Sequence, residues 1–101
     1  MKSPAEIDQL QVTFWGVRGS IPTPGYETSR YGGNTLCVEL RFSASRRTLI
    51  IDAGSGIRRL GDDLLARSEP AGGLALDLLL SHTHLDHILG LPFFGPLYRR
   101  D

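Results

Sequence analysis

With 101 residues, 41% of them hydrophobic and 22% charged, the chain has the length and composition of one small globular domain. Its 11 basic and 11 acidic residues balance, so no overall positive field favours nucleic acid or an anionic membrane surface as a partner. No apolar run reaches membrane-spanning length, and the lone cysteine excludes an internal disulfide and favours a reducing compartment, which predicts a cytoplasmic protein.

The N-terminal part of the chain predicts β-strands joined by a long loop. Residues 1–10 are mostly polar and are expected to form a loose arm. Apolar residues then alternate from Leu10 to Val17 and, more regularly, from Thr35 to Phe42, and this period of two is typical of strands. The glycines and prolines of residues 18–34 predict the loop between them.

A third strand and a helix are predicted next. Residues 43–46 have the length of a hairpin turn, and residues 48–53 are expected to return as a strand. Residues 57–67 show helical spacing, with Ser55 as the expected N-cap. The side chains that this helix is expected to bury are Ile57, Leu60, Leu64 and Leu65.

The C-terminal part predicts one more strand and short helical pieces. After a linker rich in Pro and Gly at residues 68–73, the mostly apolar residues 74–81 predict a buried strand. Residues 88–98 are apolar but interrupted by Gly and Pro, so only short helical segments are expected there. The order of elements predicts an α/β (α+β) fold with a mixed sheet and helices on one face.

All three histidines of the chain fall within six positions, directly after the last predicted strand. Imidazole nitrogens and carboxylate oxygens at the end of a buried strand are how many hydrolases hold a catalytic metal ion. A solvated polar loop, or an adventitious metal binder, is the alternative interpretation. The candidate ligands are His82, His84, Asp86 and His87.

A curled loop suits these ligands better than a regular element does. In an extended strand, the backbones of His82 and His84 would lie roughly 6.5 Å apart, and on a helix, positions two apart do not share a face. A curled loop at the strand end lets the side chains converge. Because Asp86 and His87 are neighbours, they are expected to diverge and to serve a second ion beside the first.

The loop resembles the histidine-x-histidine-x-aspartate-histidine signature of the metallo-β-lactamase fold superfamily. Four further segments look like a phosphodiesterase-type branch of that superfamily: Trp15–Pro22, Tyr31–Thr35, Ile51–Gly54 and Gly90–Phe94. The resemblance implies the N-terminal half of a four-layered αββα sandwich. Residues 1–101 are therefore expected to form a single partial domain whose C-terminal half is absent.

The resemblance also implies the roles of the candidate ligands. His82 and His84 would bind a first metal, and Asp86 and His87 would bind a second. Asp86 is in addition the candidate proton acceptor from an attacking water.

Two further residues are candidates for supporting roles. The resemblance makes Asp52, at the end of the third strand, a supporting residue near the site rather than a ligand. From the residues alone, Asp52 is more simply a cap on the following turn. Arg18 is a candidate contact for a substrate phosphate, with an ordinary solvated arginine as the alternative.

The implied chemistry is hydrolysis at a dinuclear zinc site, with manganese or iron also compatible with these ligands. A small-molecule or nucleotide phosphodiester is the expected substrate, nucleic acid is expected only as a substrate, and a thioester or lactam substrate stays open. The resemblance implies further ligands downstream, yet residues 88–101 contain no histidine. We therefore expect weak or absent turnover from this chain.

A second hypothesis is a non-catalytic chain, either truncated or completed by a partner, whose metal-binding loop is vestigial. Both hypotheses predict that the chain exposes a sheet edge through which it can associate.

Overall fold

The computed structural model describes residues 9–43, 47–67 and 76–98. Most of the predicted arm over residues 1–10, the predicted linker over residues 68–73, and three of the four residues of the predicted turn lie outside these ranges. The strands and the α-helix are β1 (Leu10–Gly16), β2 (Cys37–Phe42), β3 (Arg47–Ile51), α1 (Ile57–Arg67) and β4 (Leu76–Leu79).

The four strands form one mixed sheet in the order β1-β2-β3-β4. The pairs β1–β2 and β2–β3 are antiparallel, whereas β3 and β4 are parallel. Parallel neighbours need a crossover connection, and α1 supplies it between β3 and β4. The predicted mixed sheet with helical structure on one face is confirmed.

The face of the sheet beneath α1 carries the core. Cys37 and Ile50 on the sheet are fully buried, as are Ile57 and Leu60 on the helix. Leu64 is also buried, but Leu65 is 37% exposed, so the prediction that Leu65 belongs to the buried stripe was wrong. Leu65 lies one position past Leu64, and a 100° step along the helix turns its side chain away from the sheet.

The opposite face of the sheet is apolar but uncovered, and we call it the open face. Direct pairing across the strands places its residues in register, and each of them retains contact with solvent. This face explains why the strand before the histidines is not buried as predicted: β4 is an edge strand with one face unpacked, and Leu79 is 56% exposed. The apolar members of the open face are Leu10, Val12, Phe14, Val38, Leu40, Phe42, Leu49, Ile51 and Leu79.

Two short 3₁₀ segments follow the histidines, as the interrupted apolar pattern of residues 88–98 predicted, and they span Leu91–Phe93 and Gly95–Tyr98. A further 3₁₀ segment, Leu85–His87, lies within the histidine loop and was not predicted. This region packs back on the core through Phe94, which is 5% exposed, and through Gly90, whose N–H donates to the carbonyl of Ala53 at 2.9 Å.

None of the helices in the described part of the chain is long and apolar enough to cross a membrane.

Candidate metal centre

The parallel pairing of β3 and β4 brings the candidate site together. Ile51 and Leu79 are paired at the carboxyl ends of these strands, so the chain after each of them emerges at the same edge of the sheet. The N–H of Asp52 donates to the carbonyl of Leu79 at 2.8 Å. Asp52, the residue that follows β3, thus contacts Ser81, which lies 29 positions later at the start of the histidine loop.

Asp52 is the buried anchor of the loop. Its carboxylate accepts hydrogen bonds from the backbone N–H and from the hydroxyl of Ser81, both at 2.7 Å. The second of its oxygens also lies 2.9 Å from Nδ1 of His87. Asp52 is fully buried and has φ of 67°, in the left-handed region that non-glycine residues rarely adopt. Its position is therefore specified by several strong contacts rather than by backbone preference.

The pKa of Asp52 reflects these contacts. Burial raises the pKa of this carboxyl, but the hydrogen bonds from Ser81 and the contact with His87 outweigh burial and bring the pKa below its ordinary value of 3.8. Asp52 is thus an anion at neutral pH, although it is enclosed.

The three imidazole rings of the loop lie in mutual contact. The ring centroids of His82 and His84 are 4.5 Å apart in an edge-on arrangement, and those of His82 and His87 are 3.9 Å apart. His82 and His84 are exposed to solvent, while His87 is partly buried against Asp52. The curled loop expected from the sequence is therefore present, with a short 3₁₀ segment at residues 85–87.

Asp86 is held from both sides. One of its oxygens lies 3.3 Å from Nε2 of His87 and accepts a hydrogen bond from the backbone N–H of Ser20 at 3.0 Å. The prediction that Asp86 and His87 diverge was wrong, because the tight 3₁₀ turn rotates the two side chains toward each other. The hydrogen bond from Ser20 is the main cause of a pKa for Asp86 below its ordinary 3.8, and the nearby His87 lowers it further.

Two residues of this site, Ser20 and Ser81, were not singled out from the sequence. Ser20 lies in the long loop and has φ of 68°, which presents its N–H to Asp86 across 66 positions. Nothing in the local pattern signals this contact. Ser81 had a visible signal, since it directly precedes the first histidine, and its hydroxyl lies 3.0 Å from Nδ1 of His82.

The remaining candidates have simple placements. Arg18 is exposed, and its backbone pairs with Thr35 as an isolated bridge on the loop that carries Ser20.

Cys37 is fully buried, and burial together with the nearby Glu39 and Asp52 raises the pKa of its thiol to about 12. Cys37 is a packed core residue with a protonated thiol. Ser55 binds Asn34 and Thr35 through its hydroxyl instead of serving as the expected helix cap.

The donor set suits zinc, although the side chains are not arranged around one point. Over residues 9–43, 47–67 and 76–98, no three His, Cys, Asp or Glu side chains are placed so that they could hold a single metal ion. One pair of atoms does have a suitable separation. Two ligand atoms at about 2.0–2.2 Å from a tetrahedral zinc lie roughly 3.3–3.5 Å from each other, and Nε2 of His87 lies 3.3 Å from the Asp86 carboxylate.

Comparisons with known proteins point in one direction. The chain is 34% identical over 84 residues to Ribonuclease Z of Bradyrhizobium sp. (strain ORS 278), a match that covers 82% of this chain and 23% of that protein. It is 38% identical over 82 residues to Ribonuclease Z of Bradyrhizobium diazoefficiens, covering 80% of this chain and 23% of that protein. The chain thus spans about a quarter of the length of these curated relatives. No protein-family model matches the chain, and no solved structure matches it.

These two likenesses support the superfamily that the histidine loop resembles, because Ribonuclease Z is a metallo-β-lactamase fold protein. Both relatives are named as ribonucleases.

Proposed function

We propose that this chain carries the metal-binding loop of a phosphodiester hydrolase of the metallo-β-lactamase superfamily. The observation that supports this most strongly is the buried Asp52, which reaches across the sheet edge to hold the histidine loop by three contacts. A solvated polar loop does not need a fully buried carboxylate to orient it. Ligating histidines commonly donate their second nitrogen to a carboxylate, and this fixes the ring and its tautomer.

Each residue has a role in this proposal. His82 and His84 hold one metal ion, and Asp86 and His87 hold a second, with zinc the first choice and manganese or iron also compatible. Asp52 bonds Nδ1 of His87, so Nε2 of that ring is the nitrogen left to face Asp86. The role of Asp86 as a ligand is favoured over its role as a proton acceptor, because its lowered pKa makes it a weak base at neutral pH.

A bound zinc would supply an acidified water and charge neutralisation for a phosphoryl oxygen. The residues of this chain contribute orientation: Asp52 and Ser81 position the rings, and the backbone of Ser20 positions Asp86. The exposed His82 and His84 keep that side of the loop open to a substrate. We propose RNA as the substrate class, because both relatives are named as ribonucleases, and Arg18 as a contact for a substrate phosphate. We retain the cytoplasm as the compartment, on the ground of the lone free cysteine.

Metal binding is the first test. Zinc is titrated into the 101-residue chain, and the imidazole signals of its three histidines are followed by NMR. In the wild-type protein, we expect the NMR signals of all three rings to shift and to reach saturation. In His84→Ala, we expect no such shifts at low zinc concentration. Arg58→Ala, which alters an exposed helix residue, is the control and should titrate as wild type. Wild-type rings that do not respond to zinc would refute the proposed site.

Turnover is the second test, and it separates the two hypotheses. The zinc-loaded chain is incubated with a short single-stranded RNA and with an activated phosphodiester. Cleavage that disappears in His82→Ala supports a hydrolase, whereas zinc binding without cleavage supports the non-catalytic module. The latter has support of its own, because no three ligating side chains converge among the described residues.

A further inference from the structure

The hydroxyl of Ser81 lies between the buried carboxylate and the first histidine of the loop. Its oxygen, Oγ, is 2.7 Å from Oδ2 of Asp52 on one side and 3.0 Å from Nδ1 of His82 on the other. The same oxygen of Asp52 lies 2.9 Å from Nδ1 of His87. Two rings of the loop are therefore linked to one carboxylate oxygen, His87 directly and His82 through a single hydroxyl.

The directions of these hydrogen bonds follow from what each group can donate. An ionised carboxylate only accepts, whereas a serine hydroxyl has one hydrogen to donate and can accept at its oxygen. Asp52 is the nearer of the two acceptors and, as a carboxylate, the stronger one, so the hydroxyl of Ser81 donates to Asp52. The oxygen of Ser81 is then left to accept from His82, and in the neutral ring Nδ1 of His82 must carry the hydrogen.

We propose that Ser81 is a positioning residue that holds His82 in the tautomer with its hydrogen on Nδ1. In this tautomer Nε2 keeps a free lone pair, which is the form in which a neutral imidazole binds a metal ion. His87 reaches the same tautomer through its direct hydrogen bond to Asp52. The inference rests on the proposed function, because a fixed tautomer is of use to these rings only if they bind a metal ion.

The anchoring of the loop does not depend on this hydroxyl. The backbone N–H of Ser81 donates to the other oxygen of Asp52, Oδ1, at 2.7 Å, and the backbone N–H of Asp52 donates to the carbonyl of Leu79 at 2.8 Å. Neither bond uses the side chain at position 81. Removing the hydroxyl therefore leaves the start of the loop attached to β3 and takes away the link to His82.

His84 supplies a reference within the same loop. Its ring meets the ring of His82 edge-on at 4.5 Å between centroids, and its backbone carbonyl accepts a hydrogen bond from the N–H of His87 at 2.9 Å. Neither contact is a hydrogen bond of its ring nitrogens, and His84 is exposed to solvent. We therefore expect a mixture of tautomers for His84, in contrast to His82 and His87.

The test measures the ring tautomers of the metal-free 101-residue chain by NMR correlations of the ¹⁵N-labelled imidazoles at about pH 8. In wild type we expect His82 and His87 with hydrogen on Nδ1. In Ser81→Ala we expect His82 to become a mixture of tautomers while His87 stays unchanged. Ser81→Thr keeps the hydroxyl and should restore the wild-type pattern. A merely structural role of Ser81 would change stability without changing the tautomer of His82.

Ser29→Ala is the matched control. It also removes a serine hydroxyl with a hydrogen bond, in this case to the carbonyl of Tyr26 at 2.9 Å on an exposed part of the long loop. All three rings of this variant should keep their wild-type tautomers.

Zinc affinity, measured by competition with a chelator, is the second readout. We expect Ser81→Ala to bind zinc roughly 10–100-fold more weakly than wild type, and Ser81→Thr to bind it nearly as well as wild type. An unchanged zinc affinity in Ser81→Ala would overturn the role of Ser81 in metal binding.

The wild-type spectrum alone can overturn the proposal, so the test does not depend on the folding of the alanine variant. A wild-type His82 with its hydrogen on Nε2, or one that keeps Nδ1–H in Ser81→Ala, would show that Ser81 does not set the tautomer. A wild-type chain whose rings do not respond to zinc would instead refute the proposed function. The two failures are distinguishable, because the tautomers are measured without metal.

Discussion

Asp52 and His87 are 35 positions apart in the chain, yet the Asp52 carboxylate lies 2.9 Å from Nδ1 of the His87 ring. The two residues follow different strands, and the parallel pairing of those strands is what brings them together. Because Asp52 also holds Ser81, one buried carboxylate orients both the beginning and the end of the histidine loop.

Replacing Asp52 by asparagine is expected to lower the free energy of unfolding by about 1–3 kcal/mol, because buried hydrogen bonds to a charged acceptor are lost. The effect should depend on pH. The folded-state pKa of Asp52 lies below the ordinary 3.8, so its contribution is fully present above that value and is lost as pH falls through the lowered pKa.

Urea unfolding of both proteins at pH 7 and below pH 3.8, followed by the imidazole NMR signals of the histidine loop, measures this difference. A stability gap between wild type and Asp52→Asn that stays constant down to strongly acid pH would contradict the assignment of the buried anion.

Replacing Gly90 by alanine tests the packing beneath the histidine loop. A Cβ at this position would lie 2.1 Å from the carbonyl oxygen of Gly54, so the two backbone segments must separate. We expect a loss of stability of at least about 1–3 kcal/mol.

Gly19→Ala is the matched control for that variant. The nearest atom to its added Cβ is an oxygen of Asp86 at 4.0 Å, so the change should stay within about 0.5 kcal/mol. Equal thermal midpoints for the two alanine variants would show that Gly90 does not pack as described.

Cys37 is expected to be inert in the folded protein. Burial raises its pKa to about 12 from an ordinary 9.0, so almost no thiolate exists at neutral pH and the sulfur is shielded. Iodoacetamide at pH 8 should leave native protein unmodified and alkylate it rapidly in urea, as mass spectrometry would show.

The same pKa predicts how stability changes in alkali. Between pH 9.0 and about 12 the unfolded chain releases the thiol proton while the folded chain keeps it, so Cys37 lowers stability as pH rises through this window. Cys37→Ala should lack this component. A wild-type stability that falls no more steeply than that of Cys37→Ala would contradict the raised pKa.

Glu39 is expected to be the main polar support of the helix on the sheet. Its carboxylate accepts a hydrogen bond from the Trp15 indole at 3.0 Å and pairs with Arg67 at 2.7 Å, and Glu39 is 3% exposed. Glu39→Gln keeps the size of the side chain but removes the charge opposite Arg67, and we expect a loss of about 1–3 kcal/mol.

Asp62→Asn is the control for this substitution, because its pair with Arg58 is solvent-exposed and contributes little. Equal denaturant midpoints for the two variants would show that the Glu39 pair contributes no more than a surface pair does.

The strands and the helix of this fold could be predicted from the sequence because their apolar residues are regularly spaced. The helix over residues 57–67 matches its predicted bounds, and all four strands lie where alternation or an apolar run placed them. The side of the sheet that is buried was not predictable. In β2, the strictly apolar set of Val38, Leu40 and Phe42 lies on the open face, because burial depends on where α1 packs and not on the pattern of one strand.

The candidate site was likewise predictable from the sequence in one part and not in another. The four proposed ligands are adjacent in sequence, so local composition was sufficient to single them out. The contact of Ser20 with Asp86 depends on a long loop closing over the site and on a left-handed backbone angle, and neither is encoded by a local period. Whether these side chains hold a metal stays a prediction.

The attachment of the histidine loop has a consequence for how the chain opens. The loop continues from β4, a four-residue strand at the edge of the sheet, and its sole neighbour among the described strands is β3. The tryptophan lies on β1, at the opposite edge of the described sheet from β4. Detachment of this short edge strand would disperse the imidazoles while the indole environment stays native. Hydrogen exchange in β4, rather than tryptophan fluorescence, is therefore the signal that reports loss of the histidine cluster.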